Sequence, residues 1–77
     1  METINKLLTI IIPCYNEELY IYNTLWKISR QHFSDKLRVI IADNNSTDKT
    51  LEVISKASED FSNLQIEVVK GGKVGFA

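Results

Sequence analysis

The sequence predicts an α/β domain built in the order β-α-β-α-β around a parallel sheet. Three observations carry that prediction. Short apolar runs rich in β-branched residues recur at residues 7–12 ("LLTIII"), 37–42 ("LRVIIA") and 64–69 ("LQIEVV"). Segments of helical period lie between them. Each run also ends in a polar turn, "PCYNE", "DNNSTD" and "KGGKVG" in order.

The first run is closed by Pro13, which cannot continue a central ladder, and reads as a strand buried on both faces. From about Glu17 to Gln31 the pattern turns helical, with Ile21, Leu25 and Ile28 on one stripe. Asn16 is placed to cap it, and Glu17 and Glu18 near its start and Lys27 and Arg30 near its end suit the helix dipole. The second run again reads as a strand of buried type. A second helix follows from Thr47 to about Asp60, with Leu51, Ile54, Ala57 and Phe61 inward and Glu52 and Lys56 spaced as an ion pair. The third run alternates Leu64, Ile66 and Val68 against Gln65 and Glu67, which marks a strand with one wet face at a sheet edge. Trp26, Phe33 and Phe61 read as core or helix-end packing, and His32 as a helix-end residue.

Short connections and right-handed crossovers give the spatial order 3-2-1. That is half of a doubly wound nucleotide-binding fold, in which ligands lie beyond the carboxyl ends of the strands. A further strand would ordinarily pair on the free side of the first one, whose open apolar edge is otherwise a liability. The expectation is therefore that residues 1–77 belong to a longer domain. A homo-oligomer paired through that open edge is the alternative way to cover it.

Composition narrows the class. A chain of 77 residues holds at most one small domain. With 44% hydrophobic and 25% charged residues it is globular rather than disordered. Net charge is −1 and the Lys and Arg residues are scattered, which argues against a nucleic-acid partner or an anionic membrane surface. "LLTIIIP" is far too short to span a membrane, and "METINK" has no signal-peptide pattern. The single cysteine, Cys14, and the single histidine offer neither a disulfide nor a metal-spacing motif, which fits a reducing, cytoplasmic setting.

Chemistry concentrates in the three turns, and each has a plain local explanation. In "PCYNEE", Tyr15 offers a flat face for a base or ribose and Glu17 an acceptor for sugar hydroxyls. Strand stop, helix cap and dipole acids explain the same residues. In "ADNNSTD", Asn45, Ser46 and Thr47 compete for a helix cap, with Asp48 in the first turn. Capping leaves Asp43 over, at the strand's carboxyl end, where a carboxylate discriminates well among N–H and O–H donors. In "KGGKVG", Lys70 and Lys73 could meet a diphosphate, although neither a P-loop nor a G-x-G-x-x-G is present. Cys14 has no base beside it in sequence and reads as structural.

Taken together, "IIIPCYNEE" and "IIADNNSTDKT" resemble the opening of a family 2 glycosyltransferase, and "GGKVGFA" is similar to that family's Gly-rich turn. The resemblance implies a three-layer, Rossmann-like GT-A domain of which residues 1–77 are the N-terminal nucleotide-binding part. It implies that Pro13, Tyr15 and Glu17 line a nucleotide pocket, that Asp43 contacts the base or ribose, and that Lys73 lies near the donor. Asn44 stands where many members have a second Asp. The implied partner is a nucleotide-diphosphate sugar, and Mg or Mn is implied for the full-length enzyme, at its cytoplasmic location or the cytoplasmic membrane face. The family's Asp-x-Asp motif, which holds that metal, occurs nowhere in this sequence, and no catalytic base is assigned here. These residues alone are then not expected to catalyse sugar transfer. The competing reading is a receiver-like or other non-enzymatic α/β binding module. It fares worse, because the first and third turns lack the acids a receiver places there.

Overall fold

The computed structural model describes residues 9–31 and 37–71. Five elements follow in the predicted order: β1 (Thr9–Cys14), α1 (Ile21–Ser29), β2 (Leu37–Asp43), α2 (Thr50–Asp60) and β3 (Leu64–Lys70). The three strands form one parallel sheet ordered β1-β2-β3, the predicted 3-2-1 arrangement with β2 in the middle.

Register decides what each strand buries. Ile10, Val39 and Ile66 are one row, and Ile12, Ile41 and Val68 the next. This face packs on α1 and α2, and forms the core with Ile21, Leu25, Ile54, Ala57 and Phe61. Leu25, Val39, Ile41 and Ala57 are wholly buried. Two right-handed crossovers stepping the same way along a sheet put both helices on one side. The described elements therefore make two layers, sheet and helices, and the third layer implied for the complete domain is not among them.

That one-sidedness corrects the expectation that β1 and β2 are buried on both faces. On the opposite face Ile11 is 49% exposed and Ile40 half-buried. Arg38 pairs with Glu67 there at 3.2 Å. β3 alternates as predicted at Leu64 and Ile66, but Val68 is 38% exposed, because burial fades toward the strand's carboxyl end.

Pro13 does not stop β1. It lies in the ladder opposite Ala42. Backbone groups alternate sides along a strand, and the Cys14 carbonyl faces β2, where it accepts from the Asn44 N–H at 2.8 Å. The Pro13 nitrogen thus faces the edge of β1 on which no strand pairs among the described residues, where a missing donor breaks no ladder bond.

Both helices begin later than their periodicity suggests, α1 at Ile21 rather than Glu17 and α2 at Thr50 rather than Thr47. Neither has a side-chain cap on its own N-terminus. Asn16 and Asn45 adopt left-handed backbone, φ 49° and 59°, a conformation that Asn tolerates better than most residues. The polar residues before each helix are engaged elsewhere, as described below.

The two helices meet through Tyr22 and Phe61, rings 5.0 Å apart and tilted by 50°. The Tyr22 hydroxyl donates to Asp60 Oδ2 at 2.6 Å. This bond pushes the phenol above its ordinary value and holds the Asp60 carboxyl below its own. Lys56 pairs with Asp60, 3.4 Å away, and not with the expected Glu52. Trp26 is not core: it is 43% exposed, with the Arg30 guanidinium over its ring at 5.4 Å. His32 and Phe33 lie outside the described residues. No described helix is long and apolar enough to cross a membrane.

Leu25, on α1, is wholly buried in the core between helices and sheet. Leu25→Ala is expected to destabilise the fold by about 2–5 kcal/mol, measured by urea unfolding.

Candidate functional site

Cys14, Asp43 and Lys70 form one row at the carboxyl ends of the strands. The ladder runs slightly past them, with the Asn44 N–H donating to the Cys14 carbonyl at 2.8 Å and the Gly71 N–H to the Asp43 carbonyl at 3.2 Å. Gly71 has φ +91°, so the backbone turns there in a conformation that suits glycine. Two loops, residues 15–20 and 44–49, rise side by side from β1 and β2.

These loops cap each other. From the first, the Asn16 N–H donates to Ser46 Oγ (2.9 Å), the Glu17 N–H to Thr50 Oγ1 (2.8 Å) and the Glu18 N–H to Asp48 Oδ2 (3.3 Å). From the second, the Thr47 and Asp48 N–H groups donate to Asn16 Oδ1 (2.8 and 3.3 Å) and the Lys49 N–H to Glu18 Oε1 (2.8 Å). Residues suited to capping their own helix, Asn16 above all, thus satisfy backbone donors about thirty positions away. Local bonding survives at Asp48, one position before the α2 N-cap, Lys49: its Oδ1 accepts the Thr50 N–H (2.9 Å) and the Thr50 hydroxyl. Thr50 is wholly buried, and its hydroxyl both accepts and donates, as a buried polar group requires.

Asp43 is not left free of local bonding. It is 1% exposed, and its carboxylate accepts the Ser46 N–H (3.1 Å) and the Ser46 hydroxyl. Its position at the strand end, expected to aim it over the sheet edge, folds the side chain back under its own loop. A carboxylate has about four acceptor sites, so Ser46 uses only part of its capacity.

The other candidates divide by exposure. Pro13 is exposed at the end of β1, and Tyr15 is 54% exposed on the adjoining loop. Glu17 is half-buried. Tyr15, Glu17 and Asp43 thus lie at the carboxyl edge. Pro13, in register with Ala42, is on the sheet face away from the helices, and Asp43, in register with Cys14, on the helix-bearing face. The ladder therefore does not bring these two side chains together. Lys73 lies outside the described residues. Burial first, then the charges of Asp43, Glu17 and Asp48, push the Cys14 thiol up to about 11. It stays protonated at neutral pH, in accord with a structural role. A groove of about 350 Å³ between α2 and β3, lined by residues including Leu51, Ile54 and Ile66, touches Lys70 but none of Pro13, Tyr15, Glu17 and Asp43.

Sequence reasoning missed the cross-loop roles of Asn16, Ser46 and Thr50. Their signal is the placement of hydrogen-bonding side chains after two adjacent strands, which local capping rules read one loop at a time.

The described acids do not fit a divalent-metal centre. Among the described residues no three of His, Cys, Asp and Glu gather to hold an ion. Asp43 and Asp48, the acids of the second loop, are turned onto Ser46 and onto Thr50 and Glu18.

Residues 9–77 match Glycosyl transferase family 2. The chain belongs to that family. The family 2 chain is 38% identical over 53 residues to the uncharacterized glycosyltransferase YfnE of Bacillus subtilis, a stretch covering 69% of this chain and 14% of the relative. It is 35% identical over 68 residues to the poly(ribitol-phosphate) β-N-acetylglucosaminyltransferase TarS of Staphylococcus aureus, covering 83% of this chain and 12% of that one. Its fold superposes on the mannosyltransferase PcManGT of Pyrobaculum calidifontis, solved in complex with GDP-Man and Mn2+, at a TM-score of 0.75 and 30% identity. That match covers 91% of this chain and 21% of the other. The chain therefore spans less than a quarter of each of these proteins.

Two outcomes are expected of the loop pair. Thr50→Val keeps the shape but strands the half-buried Glu17 N–H, so stability should fall by about 1–3 kcal/mol, with Thr50→Ser much milder. Burial raises the Asp48 carboxyl, but bonds from the Thr50 hydroxyl and the Thr50, Glu18 and Asp48 N–H groups outweigh it, leaving it below its ordinary 3.8. Its contribution is present above that value and is lost as pH falls from there through the lower folded value. Acid unfolding followed by circular dichroism should show a shallower acid limb in Asp48→Asn.

Proposed function

We propose that this chain is the nucleotide-binding portion of an inverting glycosyltransferase. The whole protein would pass a sugar from a nucleotide-diphosphate sugar to an acceptor hydroxyl. The acceptor oxygen attacks the anomeric carbon, the nucleoside diphosphate leaves with the electrons of the broken bond, and a general base takes the hydroxyl proton.

The observation that carries this reading is the meeting of the "PCYNE" and "DNNSTD" loops at the carboxyl edge of one parallel sheet, the usual place for a ligand in this architecture. The family membership and the GDP-Man complex of the superposed mannosyltransferase support it. Exposed Tyr15 supplies a flat face for the base or ribose, beside Pro13. Glu17 and Asp43 supply carboxylate acceptors, and Lys73 a cation for the diphosphate.

Catalysis requires parts that these residues do not provide. The sequence contains no Asp-x-Asp, and among the described residues no three of His, Cys, Asp and Glu gather to hold an ion. A Mg or Mn ion belonging to the whole enzyme would neutralise the departing diphosphate. Residues outside this stretch would have to hold it and supply the base. The 77-residue chain by itself is accordingly inactive in transfer.

Titrating the isotope-labelled protein with UDP and with GDP tests the reading. Amide shifts should cluster at residues 13–17 and around residue 43, and Asp43→Ala should weaken binding about tenfold, the loss of one charge-assisted hydrogen bond. Shifts confined to the α2–β3 groove or to the sheet face bearing Ile11 would sink the assignment.

A further inference from the structure

Asp43 is a buried carboxylate whose described donors both come from one residue, Ser46. Ser46 is in turn held from across the site. Its hydroxyl oxygen accepts the Asn16 N–H at 2.9 Å while its proton goes to Asp43 Oδ1. A hydroxyl has one proton to give. Accepting from Asn16 occupies a lone pair and polarises the O–H toward the carboxylate. The bonds form a relay from the β1 loop to the β2 acid: Asn16 N–H to Ser46 Oγ, then Ser46 O–H to Asp43.

Two features fix the donor end of that relay. Asn16 has φ 49°, a left-handed backbone, and its N–H bonds Ser46 Oγ. Its side-chain oxygen is pinned by the N–H groups of Thr47 and Asp48. The residue bonded on both sides of the crevice is thus the one that sets the Ser46 hydroxyl, and neighbouring Tyr15 is carried on the same loop.

We propose that Ser46 and Asn16 are positioning residues for Asp43. Together they fix the orientation in which its carboxylate, with part of its acceptor capacity unused by Ser46, meets a nucleoside diphosphate, and they tie that orientation to the loop bearing Tyr15. Neither residue needs to touch the ligand. The inference rests on the assignment of Asp43 to the nucleotide site made above.

The test compares Ser46→Ala, Ser46→Thr, Asn16→Gly and Asp43→Asn in the intact protein. UDP and GDP serve as probes, and the 13C shift of the Asp43 carboxyl carbon is followed in the ligand-free protein. Ser46→Ala should move that carbon signal and weaken binding of whichever diphosphate the parent prefers about tenfold, one hydrogen bond to a charged group. Ser46→Thr keeps the hydroxyl and should restore both. Asn16→Gly tolerates positive φ and keeps the backbone donor but loses the side-chain pin. It should weaken binding several-fold while shifting the Thr47 and Asp48 amides. Parent-like affinity and an unmoved carbon signal in Ser46→Ala would overturn the inference while Asp43→Asn still binds weakly, and equal loss in Ser46→Ala and Ser46→Thr would overturn it too. Parent-like affinity in Asp43→Asn would instead remove the assignment on which the inference stands.

Discussion

The reciprocal hydrogen bonding between residues 15–20 and 44–49 is the constraint on which the working end of this fold depends. A strand-to-helix turn exposes backbone N–H groups that need partners. Here each loop supplies the acceptors for the other: Asn16 and Glu18 for the second, Ser46, Asp48 and Thr50 for the first. The arrangement is available because β1 and β2 are neighbours in a parallel sheet, so their carboxyl ends emerge together. An antiparallel pair would send these two loops to opposite ends of the sheet.

The constraint explains several features at once. Both helices start late because the residues that would form their first turns are bent toward the opposite loop. Asn16 and Asn45 take left-handed backbone, a conformation Asn accepts at small expense. Asp43 is buried because Ser46, held by Asn16, closes over it. Cys14 lies beneath all of this, and its surroundings of burial and negative charge keep the thiol protonated.

Beneath the loops, the sheet is one-sided. Leu37, Val39 and Ile41 face both helices, while Ile11 and Ile40 face away from them. Among the described residues β1 pairs only with β2. A stretch that aligns with 21% of a solved mannosyltransferase brings a carboxyl edge already formed, with its loops tied together and its helix-bearing face packed.

The sequence by itself determined the order of elements, the parallel topology and the turns that gather at one edge. Those properties follow from local period and from the handedness of crossovers, and both can be read from neighbouring residues. It also carried the family, through "PCYNEE" and "DNNST". Tertiary structure alone decided where the polar side chains of those turns spend their hydrogen bonds. Capping rules assign Asn16 to the helix that follows it, yet its side-chain oxygen serves Thr47 and Asp48. They leave Asp43 unclaimed, yet Ser46 claims it. A donor bonds whichever acceptor the fold brings near, and partners about thirty residues apart become neighbours only once β1 and β2 are paired.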